Sequence, residues 1–109
     1  MKVWGSGKPR REFLHVDELA DACVFLMKSY SEAELVNIGT GVDIEIAKFA
    51  EVVAEVVGYE GRIEYDPTKP DGTPRKLVDV TKLAHAGWRS KMPLREGLAH
   101  AYQAYLKER

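Results

Sequence analysis

A chain of 109 residues, 45% hydrophobic and 30% charged, has the composition of an ordinary globular protein, and its length allows one domain, residues 1–109. A net charge of −1 announces no polyanion partner for the chain as a whole, so no nucleic acid is expected and any anion site has to be local. The single cysteine, Cys23, excludes an internal disulfide and a cysteine-based metal site, and no apolar run approaches the ~20 residues of a membrane span; a cytoplasmic domain without membrane contact is the expectation.

The first elements read as a hairpin. Lys2–Trp4 and Arg11–Val16 are strands, joined through Gly5-Ser-Gly-Lys-Pro9, a segment dense in residues that reverse the chain. In the second strand Phe13 and His15 share one face, with Glu12, Leu14 and Val16 on the other. Arg11 leaves the turn beside Trp4, so a planar cation and an aromatic plate lie together, which suits a ligand carrying both phosphate and a ring. Asp17 is placed to cap a helix over Glu18–Lys28, whose apolar stripe is Leu19, Ala22, Cys23, Leu26, Met27 and Tyr30. A polar connector through Glu34 leads to a short strand, Leu35–Ile38, and Gly39-Thr-Gly41 turns the chain. That turn could offer N–H groups to a ligand, but its simpler role is to relieve a crowded backbone.

Ile46, Phe49, Ala50, Val53, Val56 and Val57 mark the face of a second helix that stops at Gly58; ahead of it, Glu45 suits the positive end of the helix dipole but is a poorer cap than a hydroxyl. Arg62–Asp66 alternates like a half-buried strand with Ile63 and Tyr65 inward. The three prolines of Pro67-Thr-Lys-Pro-Asp-Gly-Thr-Pro74 exclude helix or central strand, leaving a rigid polar loop that ends in Arg75-Lys76. Asp79 caps a short helix over Val80–Ala86, closed by Gly87 with Trp88 packed beneath, and Leu94, Leu98, Ala101, Tyr102 and Tyr105 stripe a last helix behind Pro93. The order β-β-α-β-α-β-loop-α-α describes a small mixed α/β (α+β) domain.

Trp4-Gly-Ser-Gly followed by Arg11-Glu-Phe-Leu-His-Val-Asp17 resembles the substrate-binding segment of the extended short-chain dehydrogenase/reductases, the NAD-dependent epimerases and dehydratases of nucleotide sugars. Val36-Asn-Ile-Gly-Thr-Gly41, Lys69-Pro-Asp-Gly-Thr-Pro-Arg-Lys-Leu77, Asp79-Val-Thr-Lys-Leu83 and Ala86-Gly-Trp88 extend the likeness, and the proline loop is similar to a signature of the GDP-L-fucose synthase branch. The likeness covers the whole chain but only about the last third of such an enzyme. It implies a C-terminal substrate-binding domain without the Rossmann dinucleotide half. It also implies a GDP-sugar ligand, GDP-4-keto-6-deoxymannose in the intact family, contacted by four residues. Arg11 would grip phosphate oxygens, Lys76 would add a mobile charge, Asp71 would accept from a sugar or ribose hydroxyl, and Trp4 would close over a ring.

Each of those residues has an ordinary reading too. Arg11 can pair with Glu12 or Asp17, Asp71 and Lys76 can be solvated, and Trp4 can be filler; agreement at all four positions favours the site. Arg10 and Arg75 read as bystanders, His15 as a packed structural residue, His85 and His100 as helix residues without an acid partner, and Cys23 as core. No Gly-x-x-Gly-x-x-Gly is present, and the family's Tyr-x-x-x-Lys pair has only Tyr65–Lys69 as a candidate, which leaves a strand for a proline loop rather than riding a helix. The expectation is a chain with no catalytic residues that binds no cofactor itself, NADP belonging to the intact family. Its implied partners are a missing Rossmann domain and further copies of itself as a homo-oligomer. The alternative is a free-standing nucleotide-binding or protein-interaction module derived from the family, also without catalysis.

Overall fold

The computed structural model describes residues 1–29 and 35–108. Its elements are β1 (Lys2–Trp4), β2 (Arg10–Arg11), α1 (Val16–Ser29), β3 (Ile44–Glu45), α2 (Ile46–Val57), β4 (Glu64–Asp66), α3 (Thr81–Ala86) and α4 (Leu94–Glu108). The mixed α/β character and the order of strands and helices are as expected from sequence; the strand pairing is not. β1 runs parallel to β4, with Val3 opposite Tyr65, and β2 runs antiparallel to β3, with Arg10 opposite Glu45 and Arg11 opposite Ile44. There is no hairpin between the first two strands. Gly5 and Gly7, both with left-handed φ, carry the chain across the molecule between two different partners instead of folding it back. Residues 12–15 join no strand, and Leu35–Ile38 is not a strand; the third strand is the short pair that precedes α2.

Helix α1 starts at Val16, two residues earlier than expected, and Asp17 does not cap it. His15 does: its carbonyl accepts from the Leu19 N–H at 3.0 Å, and its Nδ1 accepts from the Asp17 N–H at 3.0 Å. Ala22 is fully buried against Leu83 and Trp88, with Leu14, Phe25, Leu26, Val36 and Ile38 around them. The Trp88 indole N–H donates to Asp21 at 2.9 Å, so the ring is buried without an orphaned donor. Cys23, expected in this core, is exposed, and so are Leu19 and Met27; only part of the predicted stripe faces inward, and Tyr30 with the connector lies outside the described residues. Glu18 is buried and accepts from the backbone N–H groups of Lys91 and Met92, tying α1 to the approach of α4.

Helix α2 matches its predicted span. Glu45 makes no side-chain cap; the carbonyls of Pro9 and Gly7 accept from Ile46 and Ala47, each at 2.9 Å, so main chain from the first loop closes the helix. At the other end Gly58 is left-handed at φ 75°, with Tyr59 N–H donating to Ala54 and Gly58 N–H to Glu55. Phe49 of α2 stacks on Phe13 with ring centroids 3.9 Å apart, and Arg95 of α4 pairs with Glu55. Tyr65, predicted to point inward, is 40% exposed. The cap position of α3 is Val80, without a side-chain cap, rather than Asp79; Asp79, one residue before it, accepts from both the N–H and the hydroxyl of Thr81. None of the helices among the described residues is long and apolar enough to cross a membrane.

Candidate basic cleft

Three segments distant in sequence meet at one edge of the molecule. Residue 10 donates its N–H to the Pro74 carbonyl at 2.9 Å and accepts from the Lys76 N–H at 3.2 Å, so the end of the proline loop runs alongside β2. This pairing places Arg11 and Lys76, 65 positions apart by number, on a single open cleft of about 480 Å³ with Glu12, Arg75, Leu77 and Val78. A rigid loop edge laid on a strand fixes the backbone beneath both cations while leaving their side chains in reach of solvent.

The charges of the cleft are not equal. The Glu12 carboxylate faces inward: Oε2 accepts from the Gly41 N–H at 2.6 Å and from the Thr40 hydroxyl at 3.3 Å. The Gly39-Thr-Gly41 turn therefore spends its donor on a side chain of the protein, as its structural reading required. Arg75 donates from Nε to Asp43 Oδ2 at 2.5 Å, and Arg10 donates from Nε to Asp43 Oδ1 at 3.0 Å. Burial works against charge on Asp43, but the hydrogen bonds and fields of Arg10 and Arg75 outweigh it and hold the carboxyl below its usual range. Arg11 donates from Nη1 to its neighbour's carbonyl, Arg10 O, at 2.7 Å, and its other guanidinium nitrogen lies beside Gly72. Neither Arg11 nor Lys76 has a carboxylate partner among the described residues, so the pairing of Arg11 with Glu12 or Asp17 that sequence allowed does not form.

Trp4 and Asp71 do not line this cleft. The Trp4 ring is 68% exposed on β1 and carries the Lys69 ammonium 5.1 Å above its centroid, so the cation paired with it is Lys69 rather than Arg11. That contact also accounts for Lys69, the partner that the Tyr65–Lys69 spacing suggested. Asp71 lies across the loop, where it accepts from the Ser6 N–H at 2.6 Å and the Ser6 hydroxyl at 2.8 Å. Those two hydrogen bonds, backbone first, lower its carboxyl from the ordinary value. It borders a smaller hollow with Lys8, Pro9, Gly72 and Pro74. On the far side of Phe13 an apolar hollow of about 300 Å³ is walled by Phe49, Met92, Leu94 and Leu98, with His15 at its edge.

Sequence reasoning missed Asp43 and misjudged Arg10 and Arg75, which are paired rather than bystanders. The available signal was only that two arginines flank two candidate ligand residues, Arg10 next to Arg11 and Arg75 next to Lys76; nothing in the local sequence marked Asp43 as their partner. His100 has the acid partner not expected for it, Glu96 at 3.8 Å one turn back. His15 is the structural residue it was read as.

The NAD dependent epimerase/dehydratase family model matches residues 1–39. GDP-L-fucose synthase 1 of Arabidopsis thaliana is 61% identical over 105 residues, which is 96% of this chain and 32% of the relative. GDP-L-fucose synthase of Escherichia coli is 49% identical over 114 residues, 96% of this chain and 36% of the relative. Among solved structures, a GDP-6-OMe-4-keto-L-xylo-heptose reductase from C. jejuni superposes with a TM-score of 0.91 at 33% identity, covering 99% of this chain and 34% of that one. The chain thus spans about a third of the length of the proteins it matches.

Proposed function

We propose, for a chain that corresponds in sequence to the C-terminal part of GDP-L-fucose synthases within the NAD-dependent epimerase/dehydratase family, that it binds the diphosphate of a GDP-sugar in the cleft of Arg11 and Lys76. The observation that carries this reading is the convergence of two cations without carboxylate partners on one cleft, from positions that sequence alone had singled out. Arg11 presents a planar fork to phosphate oxygens and Lys76 a mobile point charge. Trp4 and Asp71 lie outside the lining of the cleft, Trp4 exposed on β1 and Asp71 at the smaller hollow with Gly72 and Pro74. Trp4 would reach a ring of the ligand by exchanging Lys69 for it. Asp71 would meet a hydroxyl through lone pairs not engaged by Ser6.

In this reading the chain holds the sugar nucleotide and supplies none of the reacting groups. Reduction and epimerisation of GDP-4-keto-6-deoxymannose, with NADPH as hydride donor, would require a dinucleotide-binding domain as partner. The exposed apolar surface of α1 supports a further part of the proposal, that the isolated chain self-associates.

The test is titration with GDP and guanosine, by calorimetry, on the wild type and Arg11→Ala. GDP is expected to bind more tightly than guanosine. A charge-assisted contact contributes about 1.5–3 kcal/mol, so Arg11→Ala is expected to lower GDP affinity about tenfold or more and to leave guanosine unaffected. Added salt is expected to reproduce part of the loss. Equal affinity for both ligands, or GDP binding unchanged in Arg11→Ala, removes the diphosphate role. In the same preparation, substrate-dependent NADPH consumption is expected to be absent, and its appearance would overturn the non-catalytic reading.

A further inference from the structure

Asp43 is the acid around which the cleft is built. Its side chain is 6% exposed, and its two oxygens are divided between Arg10 on β2 and Arg75 at the end of the proline loop. Both arginines immediately precede a residue of the cleft, Arg11 and Lys76. Arg10 has a second acid within reach, Glu45 at 3.6 Å, and it also donates from Nη2 to the Asp43 carbonyl at 3.4 Å. Arg75 has no other acidic partner among the described residues, and its exposed side chain borders the cleft. The one carboxylate therefore does two things: it joins the segments that carry Arg11 and Lys76, and it takes up the charge and the Nε–H donor of Arg75, whose side chain lines the same cleft.

Resting on the reading of the cleft as a diphosphate site, we propose that Asp43 is a positioning and specificity-determining residue that limits the cleft to two available cations and thereby matches it to a diphosphate rather than a more highly charged anion. A phosphate chain longer than two groups brings charge that Arg11 and Lys76 alone leave unpaired. The guanidinium that would meet that charge is held on Asp43, where an acid takes both the positive charge and the Nε–H donor.

Two measurements test this. In the wild type, the Nε–H signals of Arg10 and Arg75 in a ¹⁵N NMR spectrum are expected to exchange slowly with water and to stay in place as GDP is added, while Arg11 shifts. Movement of Arg75 together with Arg11 overturns the role of Asp43 and leaves the diphosphate reading standing; no movement of any arginine overturns both. In Asp43→Asn, affinity for GTP relative to GDP is expected to rise about threefold to fivefold over the wild-type ratio, the scale of an exposed ion pair. Adding Arg75→Gln to that variant is expected to return the ratio to its wild-type value without restoring thermal stability. A role in stability alone predicts loss of both nucleotides together, and an unchanged ratio in Asp43→Asn, or a raised ratio that persists in the double variant, defeats the proposal.

Discussion

At the scale of single residues, the acids settle the local structure. Glu12, Glu18, Asp43, Asp71 and Asp79 each take up main-chain N–H groups or arginines of the protein, the last two while still exposed. Glu18 is the most informative, because it is buried on a helix and satisfied by the N–H groups of Lys91 and Met92 just ahead of α4. Replacing it with glutamine keeps the shape, removes the charge and turns one acceptor into a donor facing N–H groups. Glu18→Gln is expected to destabilise the fold by about 1–3 kcal/mol, the cost of leaving a buried donor unmet, as read by urea denaturation. A midpoint equal to that of the wild type would show that water replaces the carboxylate there. The pairing of Arg11 and Lys76 was legible at this scale, since residue type and likeness to a family pointed to both. Asp43 was not, because its role depends on two arginines 32 and 33 positions away and no local pattern marks such a distance.

Elements were legible where their signals are local. The span of α2 follows from an apolar period and a glycine stop, and both hold. Gly58 has φ 75° with nothing within 4 Å of where a Cβ would lie, so a side chain there meets no obstacle other than its own backbone. Gly58→Ala is therefore expected to lower stability by about 1–2 kcal/mol from left-handed strain alone, measurable as a fall in melting temperature. A larger loss would point to contacts that the helix end does not have. The strands were misread for the converse reason. A two- or three-residue strand carries little periodicity, and its partner is chosen by the tertiary fold: β1 takes β4 from more than 60 positions away, although β2 is the nearer strand in sequence. The same holds for Leu35–Ile38, whose apolar residues Val36 and Ile38 pack on the Leu83–Trp88 core without joining a ladder.

The whole molecule is thin. It measures 48 × 34 × 19 Å with a radius of gyration of 16.3 Å, where a compact chain of this length has about 13 Å. Its accessible surface is 7897 Å², against about 6100 Å² for a compact monomer of 12.3 kDa. The excess is about twice the ~800 Å² that a standard interface covers on one partner, and the α1 side chains Val16, Leu19, Val24 and Met27 contribute to it. A second copy seated on that face is the expected occupant when the chain is alone. Light scattering over a concentration series is then expected to give a dimer or larger species by the micromolar range, and Met27→Glu to shift it toward monomer. A wild-type monomer at high micromolar concentration would leave the face without a self-association role. The carbonyls of Gly7 and Pro9 that close α2 have a kinetic meaning as well. Amides in a first helical turn usually trade hydrogen with solvent freely, whereas those of Ile46 and Ala47 can do so only when the first loop lifts from the helix. Their deuterium uptake is thus a clock for the undocking of the segment that leads into Arg11, readable in the chain without any ligand.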